Sequence, residues 1–423
     1  MTEIISHIYQ DNEGHWVIQS NEDHSAGVAK LASQFAGEFG MSEWGKVLGL
    51  LHDKGKETDA FQQYIKKESG YAPDIKICGK HHHAYVGGIL AQKYYGKSSY
   101  NLFVNQIVSH HTGLHDSDEI KEIINQEIPS EVNIYHTKEK LNRPEFNIQA
   151  NDFHHLARML FSCLVDADFL DTEAFMVRES YTLRQNKDAL NDLLPLLENK
   201  LKDLKAKADS SEINIIRNQI QQQCLKMADT PTGFYSLTVP TGGGKTLSSL
   251  LWAIKHALKN GQKRVIIAIP YTSIIVQTAS VLRSIFGEEN VLEHHSCVDP
   301  EQIKDEKLKE KMKLATENWD YPIIVTTNVQ LFVSMFSNKP SACRKLHNIV
   351  NSVIILDEVQ TLPTDYLQPI VDSLKTYNKL FNVSFLFTTA SQPVLSGLIE
   401  GCNPKAAFNG IDHITEIIPD DFK

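Results

Sequence analysis

The sequence lacks several features that would each define a class of protein. No run approaches the roughly 20 consecutive apolar residues that a membrane-spanning helix needs, and the first residues lack the basic stretch of a secretory signal. We therefore expect a cytoplasmic protein without a membrane span. The six cysteines lie far apart and form no C-x-x-C pair, so they indicate neither a disulfide framework nor a zinc knuckle. We interpret them as reduced, mostly buried thiols.

Positive charge is also scarce. Lysine and arginine together number 42 against 52 aspartates and glutamates, which gives a formal net charge of −10. This balance argues against a broadly basic surface that coats itself in nucleic acid. A local groove is still allowed, because cations bound by clustered carboxylates invert the field around them. The 423 residues, 42% hydrophobic and 22% charged, suit two soluble globular domains.

Hydrophobic periodicity divides the chain into two parts. Up to about residue 200, apolar residues recur three and four positions apart, for example over residues 44–51, which predicts an all-α domain. A charged, Leu-rich helix over residues 188–208 ends in a hydrophilic break. We therefore predict a first domain at residues 1–208, including this linker helix, and a second at residues 209–423.

The second part alternates short β-branched runs with helical stretches. The predicted strands are residues 235–239, 264–269, 323–326, 353–356 and 384–388. Near-continuous apolar runs of this length are typical of buried parallel strands. The predicted fold class is therefore multidomain, with an all-α domain followed by an α/β domain built on a mainly parallel sheet.

Histidines and aspartates gather at separated places in the first 170 residues. The pair His52 and Asp53 closes an apolar helix, and a helix end lets polar groups converge without disturbing the core. Mixed His and Asp ligation favours first-row transition metals such as Mn, Fe, Co, Ni or Zn over Mg or Ca. Because the chain has 18 histidines, a single one is weak evidence for a metal ligand. Only the co-occurrence of several on helical segments indicates a metal site. The further candidate ligands are His24, His81, His82, His83, His110, His111, Asp166 and Asp168.

A phosphate-binding loop is predicted at residues 240–246, Pro-Thr-Gly-Gly-Gly-Lys-Thr, between a strand and a helix. Its backbone N–H groups would turn toward the phosphates, Lys245 would neutralise phosphate charge, and the Thr246 hydroxyl would bind Mg²⁺. A later strand ends in Asp357, placed to hold magnesium, and Glu358, placed to polarise the attacking water. The predicted ATP-binding residues are Thr241, Gly242, Gly243, Gly244, Lys245, Thr246, Asp357 and Glu358.

Five elements of the first part, in this order, resemble one known family. They are residues 22–25 (EDHS), 50–56 (LLHDKGK), 83–88 (HAYVGG), 109–113 (SHHTG) and 161–168 (FSCLVDAD). They look like the HD-type nuclease domain of the helicase-nucleases with which type I CRISPR systems destroy invading DNA. A lone His-Asp pair would be weak evidence for this resemblance, whereas five matched elements in the same order are specific evidence.

The resemblance implies two divalent transition-metal ions (Mn, Fe, Co or Ni) with Asp53 bridging between them. The first metal would be held by His24, His52, Asp53 and Asp168. The second would be held by Asp53, His83, His110 and His111. Lys56 would then lie near the scissile phosphate as a fixed cation.

Two of these ligands have neighbours that compete for the role. His83 is preferred to His81 and His82 because only His83 has the family's glycine four residues on. Asp168 is preferred to Asp166 from the family's Ala-Asp pair, since helical periodicity does not separate them. Both alternatives stay open at the level of sequence.

The second part resembles the first RecA-like domain of superfamily 2 helicases. Val239 stands where the strict P-loop pattern has its first glycine, which is the form these motors use. Gln360 stands where related motors carry His, and residues 388–393 resemble their coupling motif with Ser391 in place of threonine. Residues 270–277 and 326–328 match segments that in such motors contact the DNA backbone without reading bases.

Such motors close ATP between two RecA-like domains, and this sequence extends only about 30 residues past Pro393. We expect the second domain to be missing here and supplied by the full-length protein or in trans. Without its arginine finger, ATP should bind weakly and hydrolysis should be slower by about 10³- to 10⁵-fold.

The sequence thus predicts a metal-dependent endo- or exodeoxyribonuclease acting on single-stranded DNA, joined to an incomplete ATP-dependent helicase. By resemblance, an RNA-guided CRISPR surveillance complex recruits it, and Mg-ATP serves the helicase part. Two alternatives remain. One is an HD phosphohydrolase acting on nucleotides, and the other is a non-catalytic docking fragment.

Overall fold

The computed structural model describes residues 4–79, 81–96, 100–134, 138–142, 147–184, 187–240, 242–296, 305–389, 408 and 412–419. The chain divides into two compact units. The first unit comprises Met1–Gln185 and Phe336–His347, and the second comprises Asn186–Met335 and Asn348–Lys423.

A β-hairpin opens the first unit. Strands β1 (Ile5–Gln10) and β2 (Trp16–Ser20) pair antiparallel, and the Asp11 carboxylate accepts the backbone N–H groups of Glu13 and His15 in the turn. The all-α expectation did not include this hairpin, whose short strands bury few side chains. The helical character of the rest of this region is confirmed.

The helices of the first unit gather around one long, largely buried helix. Before that helix come α1 (Asn21–Gly37), α2 (Ser42–Leu51), α3 (Asp59–Glu68), α4 (Ala84–Tyr95), α5 (Asn105–Ser109) and α6 (Ser117–Ile124). The long helix is α7 (Phe153–Met176), followed by α8 (Arg178–Leu183). Helices α1 and α2 pack against each other and against α7, and α7 is buried almost all round between residues 159 and 167.

The second unit is built on a seven-stranded sheet in the order β5-β6-β4-β7-β8-β3-β9. Its strands are β3 (Phe234–Thr238), β4 (Arg264–Ile269), β5 (Val291–His294), β6 (Ile323–Thr327), β7 (Ser352–Asp357), β8 (Ser384–Thr389) and β9 (Ile414–Glu416). All of their pairings are parallel. The predicted α/β class is confirmed, and the sheet gains β5 and β9, which are too short and polar to read as buried strands.

Helices cover this sheet and continue the alternating order. They are α9 (Leu190–Lys207), α10 (Glu212–Met227), α11 (Lys245–Lys259), α12 (Thr272–Phe286), α13 (Glu306–Asn318), α14 (Asn328–Phe336) and α16 (Leu367–Phe381). The intervening helix α15 (Pro340–Cys343) belongs to the first unit and packs on α7. The chain therefore leaves the second unit once, over twelve residues, and returns to it.

The Leu-rich helix α9 lies with the second unit rather than the first. Its Leu193, Leu197 and Leu201 are buried in the same core as Leu250 and Ile275. We expected the domain boundary at residues 208 and 209, after this helix. The structural division falls before it, because the apolar face of α9 packs on α11 and α12.

Among the described residues, no helix is long and apolar enough to cross a membrane. Of the cysteines within that part of the chain, Cys78 is exposed and Cys163, Cys224 and Cys343 are buried, all as free thiols. Burial raises the pKa of Cys224 and of Cys343 to about 12. These thiols therefore stay protonated and unreactive at neutral pH.

Candidate metal centre and nucleotide site

Side chains from separate elements of the first unit converge on one place. His24 lies in α1, His52 and Asp53 follow α2, His83 precedes α4, His110 and His111 follow α5, and Asp168 lies in α7. They form two groups, His24 with His52, Asp53 and Asp168, and Asp53 with His83, His110 and His111. Within each group the potential ligand atoms lie within 4.8 Å of one another.

Asp53 is shared by the two groups and is fully buried. Its Oδ2 lies 3.3 Å from Nε2 of both His24 and His52. Its Oδ1 lies 3.2 Å from Nε2 of His83 and 3.4 Å from Nε2 of His110. Each carboxylate oxygen therefore faces one group, as a bridging ligand requires.

Backbone carbonyls fix the orientation of two of the rings. Nδ1 of His52 lies 2.7 Å from the Gly49 oxygen, and Nδ1 of His110 lies 2.6 Å from the Ile107 oxygen. A carbonyl oxygen only accepts, so Nδ1 carries the proton and donates it. In the neutral rings, Nε2 is then left with its lone pair toward Asp53, as metal-binding imidazoles need.

His24 is oriented by a carboxylate that sequence reasoning missed. Nδ1 of His24 lies 2.8 Å from Asp171 Oδ2, which also accepts a hydrogen bond from Gln19 Nε2 at 2.8 Å. Asp171 occupies the space beside Gly27, where an added Cβ would lie 1.9 Å from Asp171 Oδ1. The available signal was spacing, because Asp171 follows Asp168 by three residues on one face of α7.

Carboxylates dominate the electrostatics of the first group. Burial alone lowers the pKa of His24, but hydrogen bonds to Asp168 and Asp171 and the nearby Asp53 raise that pKa to about 10. Burial likewise lowers the pKa of His52, and Asp53 and Asp168 raise it to about 9. Without a metal, protons on these rings balance the buried negative charge. A bound cation would take over that role.

Imidazoles dominate the second group instead. Burial lowers the pKa of His83 despite its contact with Asp53. Burial, together with the neighbouring His110 and His83, lowers the pKa of His111 to about 3. Nε2 of His83 lies 2.9 Å from Nε2 of His111. These rings are therefore neutral at pH 7 and ready to donate lone pairs to a cation.

The residues fit two divalent cations. Within the described part of the chain, no hydrogen-bond partner exists for Nε2 of His24, His52 and His110 or for Oδ1 of Asp53. Buried polar atoms rarely stay without partners, because their desolvation is costly. Imidazole nitrogens mixed with carboxylate oxygens suit borderline transition metals.

Lys56 lies against this cluster and is almost completely buried. Its ammonium group is 2.6 Å from Asp53 Oδ2 and donates a hydrogen bond to Ser6 Oγ at 3.0 Å. It also lies 5.7 Å from the centre of the Phe61 ring. The structure thus places Lys56 beside the shared carboxylate, and its role near a scissile phosphate stays a prediction.

The two aspartates that periodicity could not separate lie on different sides of α7. Asp168 Oδ1 is 3.3 Å from His24 Nε2 and 3.7 Å from His52 Nε2. Asp166 lies outside both groups, and its Oδ1 accepts a hydrogen bond from Arg344 Nε at 2.8 Å. The geometry favours Asp168 as the ligand.

The three consecutive histidines before α4 also separate. His83 Nε2 reaches Asp53, as above. The ring of His81 stacks on Tyr64 at 4.3 Å between centres, and His82 stacks on His81 at 5.5 Å. The neighbours therefore form an exposed ring stack outside both ligand groups.

In the second unit, the loop after β3 leads directly into α11. Gly244 caps this helix with a φ of 79°, a left-handed conformation that glycine adopts without strain. Lys245 and Thr246 form the first residues of α11, and Gly242 and Gly243 precede them. Thr241 lies outside the described residues. A helix N-terminus following such a loop is a site for phosphate.

Lys245 is engaged by the two acids at the end of β7. Its Nζ lies 2.5 Å from Glu358 Oε1 and 3.1 Å from Asp357 Oδ1. Burial lowers the pKa of Lys245, but the two carboxylates outweigh it and the pKa is raised. The predicted phosphate-binding cation and the predicted catalytic acids therefore neutralise one another in this structure.

Gln360 links the acids to the end of β8. Its Nε2 donates to Glu358 Oε2 at 2.7 Å, and its Oε1 accepts from Thr389 Oγ1 at 2.9 Å. Thr388 Oγ1 donates to Asp357 Oδ1 at 2.5 Å. The glutamine thus connects the two motifs through hydrogen bonds of its own. Residues 390–393 of the predicted coupling motif, including Ser391, lie outside the described residues.

A cavity of about 720 Å³ opens at this loop. Helices α9 and α10 line it, together with Gly242, Lys245, Thr246 and Glu358. Arg217 of α10 donates to the Gly242 oxygen through Nε at 3.0 Å and Nη2 at 2.7 Å. Sequence reasoning missed Arg217, since nothing in the motif marks a residue that holds the loop from outside.

Of the two segments predicted to contact DNA, residues 270–277 follow β4, and residues 326–328 include the last two residues of β6. Tyr271 is 56% exposed and Val276 is 53% exposed at the start of α12. Thr326 is buried, and its Oγ1 donates to the His294 oxygen at 2.7 Å. The first segment thus presents side chains to solvent, whereas the Thr326 hydroxyl makes a hydrogen bond within the fold.

Comparisons with known proteins agree with this geometry. The HD domain family model matches residues 21–145, and the DEAD/DEAH box helicase model matches residues 218–396. A CRISPR-associated nuclease/helicase Cas3 of Haloferax volcanii is 28% identical over 188 residues, which cover 40% of this chain and 20% of that protein.

Solved structures show the same fold. The T. fusca Cas3 crystal structure with AMPPNP is 17% identical, with a TM-score of 0.59 over 91% of this chain and 50% of the solved one. A chain described as "CRISPR RNA-guided surveillance complex, pre-nicking" has a TM-score of 0.53 and 16% identity, over 93% of this chain and 48% of its own. This chain therefore spans about half the length of the solved chains.

The chain joins an HD domain to a DEAD/DEAH box helicase domain, in that order. The resemblance predicted from the sequence agrees with these comparisons, because the chain is similar to part of a Cas3 nuclease/helicase.

Proposed function

We propose that this chain carries the metal-dependent nuclease of a CRISPR effector, cutting single-stranded DNA, together with the first domain of its ATP-dependent motor. The observation that carries the proposal is the buried Asp53 carboxylate, whose two oxygens each face a separate cluster of ligand atoms. The relationship to Cas3 nuclease/helicases supports the same activity. Degradation of invading DNA would be a cytoplasmic task.

The first unit would hold two transition-metal ions, Mn, Fe, Co or Ni, at the two groups that share Asp53. Such a pair supplies an activated water for attack on a phosphodiester and stabilises the leaving oxygen. The chain's own task is orientation. Asp171 and the carbonyls of Gly49 and Ile107 hold the rings with Nε2 inward, and Lys56 adds a fixed positive charge beside Asp53.

The second unit would bind ATP with magnesium in the cavity beside α11. Lys245 and the backbone N–H groups before it would hold the phosphates, Thr246 and Asp357 would hold the magnesium ion, and Glu358 would orient the attacking water. For this to happen, Lys245 must exchange its contacts with Glu358 and Asp357 for contacts with phosphate. Nucleotide binding thereby releases Glu358 for its catalytic task.

We further propose a partner for the intact protein, an RNA-guided CRISPR surveillance complex. The support is the fold shared with the chain solved under that description. Such a complex displaces one DNA strand when its guide pairs with the other, and this displaced strand is the proposed substrate.

The decisive experiment is cleavage of circular single-stranded DNA with Mn²⁺, Co²⁺, Ni²⁺ or Mg²⁺. We expect cleavage with the transition metals, and none after Asp53→Ala, because that change removes a ligand from both groups. Asp118→Ala, on the exposed surface of α6, should cleave as the unmodified chain does.

Two results would contradict the proposal. Release of phosphate from free nucleotides without DNA cleavage would instead identify a phosphohydrolase. Absence of any hydrolysis, with intact binding to a surveillance complex that survives Asp53→Ala, would identify a docking fragment.

A further inference from the structure

The first unit contains a segment that is remote from it in sequence. Residues Phe336–His347 lie within the stretch matched by the helicase family model, yet they pack as part of the same unit as the HD domain. The segment contains the short helix α15, which rests on α7. The helix that carries Asp168 is therefore covered by residues far outside the HD-matched stretch.

The segment binds one face of α7. Ser162, Asp166 and Phe169 recur at helical spacing along that face. Arg344 Nε donates to Asp166 Oδ1 at 2.8 Å, and the guanidinium lies 4.3 Å from the centre of the Phe169 ring. The backbone N–H of His347 donates to Ser162 Oγ at 3.0 Å. The contact thus combines an ion pair, a ring contact and a backbone anchor.

The ion pair is deeply buried. Asp166 is 0% exposed and Arg344 is 5% exposed, and His347 Nε2 lies 3.5 Å from the other oxygen of Asp166. A carboxylate at this depth is costly unless cations and hydrogen bonds compensate it. Asp166 is only two residues from Asp168, so whatever fixes one fixes the short stretch of helix that holds the other.

The same segment also holds the element that follows the histidine ligands His110 and His111. Leu114 N donates to the Asn338 oxygen at 2.9 Å, and Asn338 Nδ2 donates to the Leu114 oxygen at 3.2 Å. Leu114 follows His111 by three residues. Ligands of both groups therefore lie close to points that this one segment fixes.

We propose that Phe336–His347 is an integral support of the metal centre and that Arg344 is a positioning residue, acting on Asp168 through Asp166. The proposal rests on the proposed metal binding. It assigns Arg344 no contact with metal or substrate. Groups that hydrogen-bond directly to a metal ligand commonly change metal affinity by about 10- to 100-fold when they are lost, and Arg344, which acts through Asp166, should reach the lower end of that range.

The test uses the whole chain, with Co²⁺ as the probe, and compares two buried arginines that pair with the same helix. Arg184 donates to Glu173 through Nε at 2.7 Å and Nη2 at 2.8 Å, further along α7. We expect Arg344→Met to weaken Co²⁺ affinity by about tenfold, the lower end of that range, and to change the visible absorption of bound Co²⁺. Arg184→Met should change the affinity by less than about threefold, which stays well below that range.

Conservative variants separate positioning from loss of fold. Arg344→Lys keeps a cation near Asp166 and should recover most of the affinity and the spectrum. If Arg344→Met does not fold, the pair Asp166→Asn and Glu173→Gln replaces it, with weakened Co²⁺ binding expected only for Asp166→Asn.

The inference is overturned if Arg344→Met, or Asp166→Asn in its place, binds Co²⁺ as the unmodified chain does. It is equally overturned if the Arg184 and Glu173 variants lose as much affinity, because the effect would then be general destabilisation. If the unmodified chain binds no Co²⁺, the proposed metal centre itself is contradicted. This outcome is distinct from a failure of the inference about Arg344.

Discussion

The two candidate sites of this chain differ in how their charged side chains are paired. In the first unit, Asp53 and the ring nitrogens around it lie 3.2–3.4 Å apart, and the Lys56 ammonium lies 2.6 Å from Asp53 Oδ2. In the second unit, Lys245 is paired with Glu358 at 2.5 Å. The first site contains more carboxylates than Lys56 balances, so protons on its rings supply further positive charge, whereas the second site pairs its lysine directly with its acids.

This difference sets what each ligand has to do. A cation entering the first site would find its ligand atoms already in place and would displace ring protons, so little reorganisation of the ligands would oppose binding. A nucleotide entering the second site must first separate an ion pair. In the proposed function, the metal ligands are therefore preassembled, whereas nucleotide binding requires Lys245 to exchange its carboxylate partners for phosphate.

The largest effect should come from the shared carboxylate. Asp53→Asn should abolish binding at both groups, because each loses a ligand, whereas Asp168→Asn should spare the group of His83, His110 and His111. Metal content after reconstitution with Mn²⁺, measured by mass spectrometry, distinguishes the two variants. Equal retention of metal by both would show that Asp53 does not bridge.

A smaller loss is expected from the carboxylate behind His24. Asp171→Asn keeps the size of the side chain but weakens its hold on Nδ1 of His24, so metal affinity should fall by about 10- to 100-fold. Calorimetric titration with Mn²⁺ measures this change. Glu173→Gln, on the same helix but paired with Arg184, is the control and should bind normally.

In the second unit, one substitution should strengthen ligand binding rather than weaken it. Glu358→Gln removes the charge that holds Lys245, so ATP should bind more tightly, by roughly three- to tenfold if the partly exposed pair is worth about 1 kcal/mol. Hydrolysis should slow, since the residue that orients the water is lost. Lys245→Ala should bind ATP worse than the unmodified chain. Weaker binding by Glu358→Gln would contradict the exchange of partners by Lys245.

The smallest effect concerns a buried histidine outside both sites. His256 is fully buried beside Ser384 and Ala228, and burial lowers its pKa to about 4 from 6.5. Below pH 6.5 His256 becomes protonated in the unfolded chain, whereas in the folded chain it stays neutral down to about pH 4. Stability should therefore fall between pH 6.5 and pH 4, by up to about 3 kcal/mol.

His256→Gln provides the comparison for this prediction. Chemical unfolding at pH 7 and pH 4 should show a smaller loss of stability on acidification for the variant than for the unmodified chain. An identical pH dependence would mean that His256 does not carry the effect. The contrast with His24 is instructive, because carboxylates raise that pKa to about 10 although both rings are buried.

Sequence was sufficient wherever a local pattern decides the outcome. The buried strands of the second unit are continuous apolar runs, so β4, β6, β7 and β8 were predicted to within about two residues. His52 and Asp53 were expected at a helix end and lie there. The seven predicted metal ligands were named from motifs of a known family, and the structure brings all of them together.

The sequence did not predict features that depend on contacts between residues far apart along the chain. Asp166 and Asp168 both lie on a helix that is buried nearly all round, so no exposed face distinguishes them. The separation comes from Arg344, which is 178 residues away from Asp166 along the chain. The same holds for α9, whose leucine stripe fits either unit until its partners α11 and α12 are known.

The tight fit of Asp171 beside Gly27 has a consequence for substitution experiments. A methyl group at position 27 would overlap the carboxylate oxygen, so Gly27→Ala would push Asp171 aside although residue 27 touches no ligand atom. Surveys that score only the histidines and aspartates would overlook this vulnerability. A library that varies this domain should therefore keep position 27 constant together with the ligands.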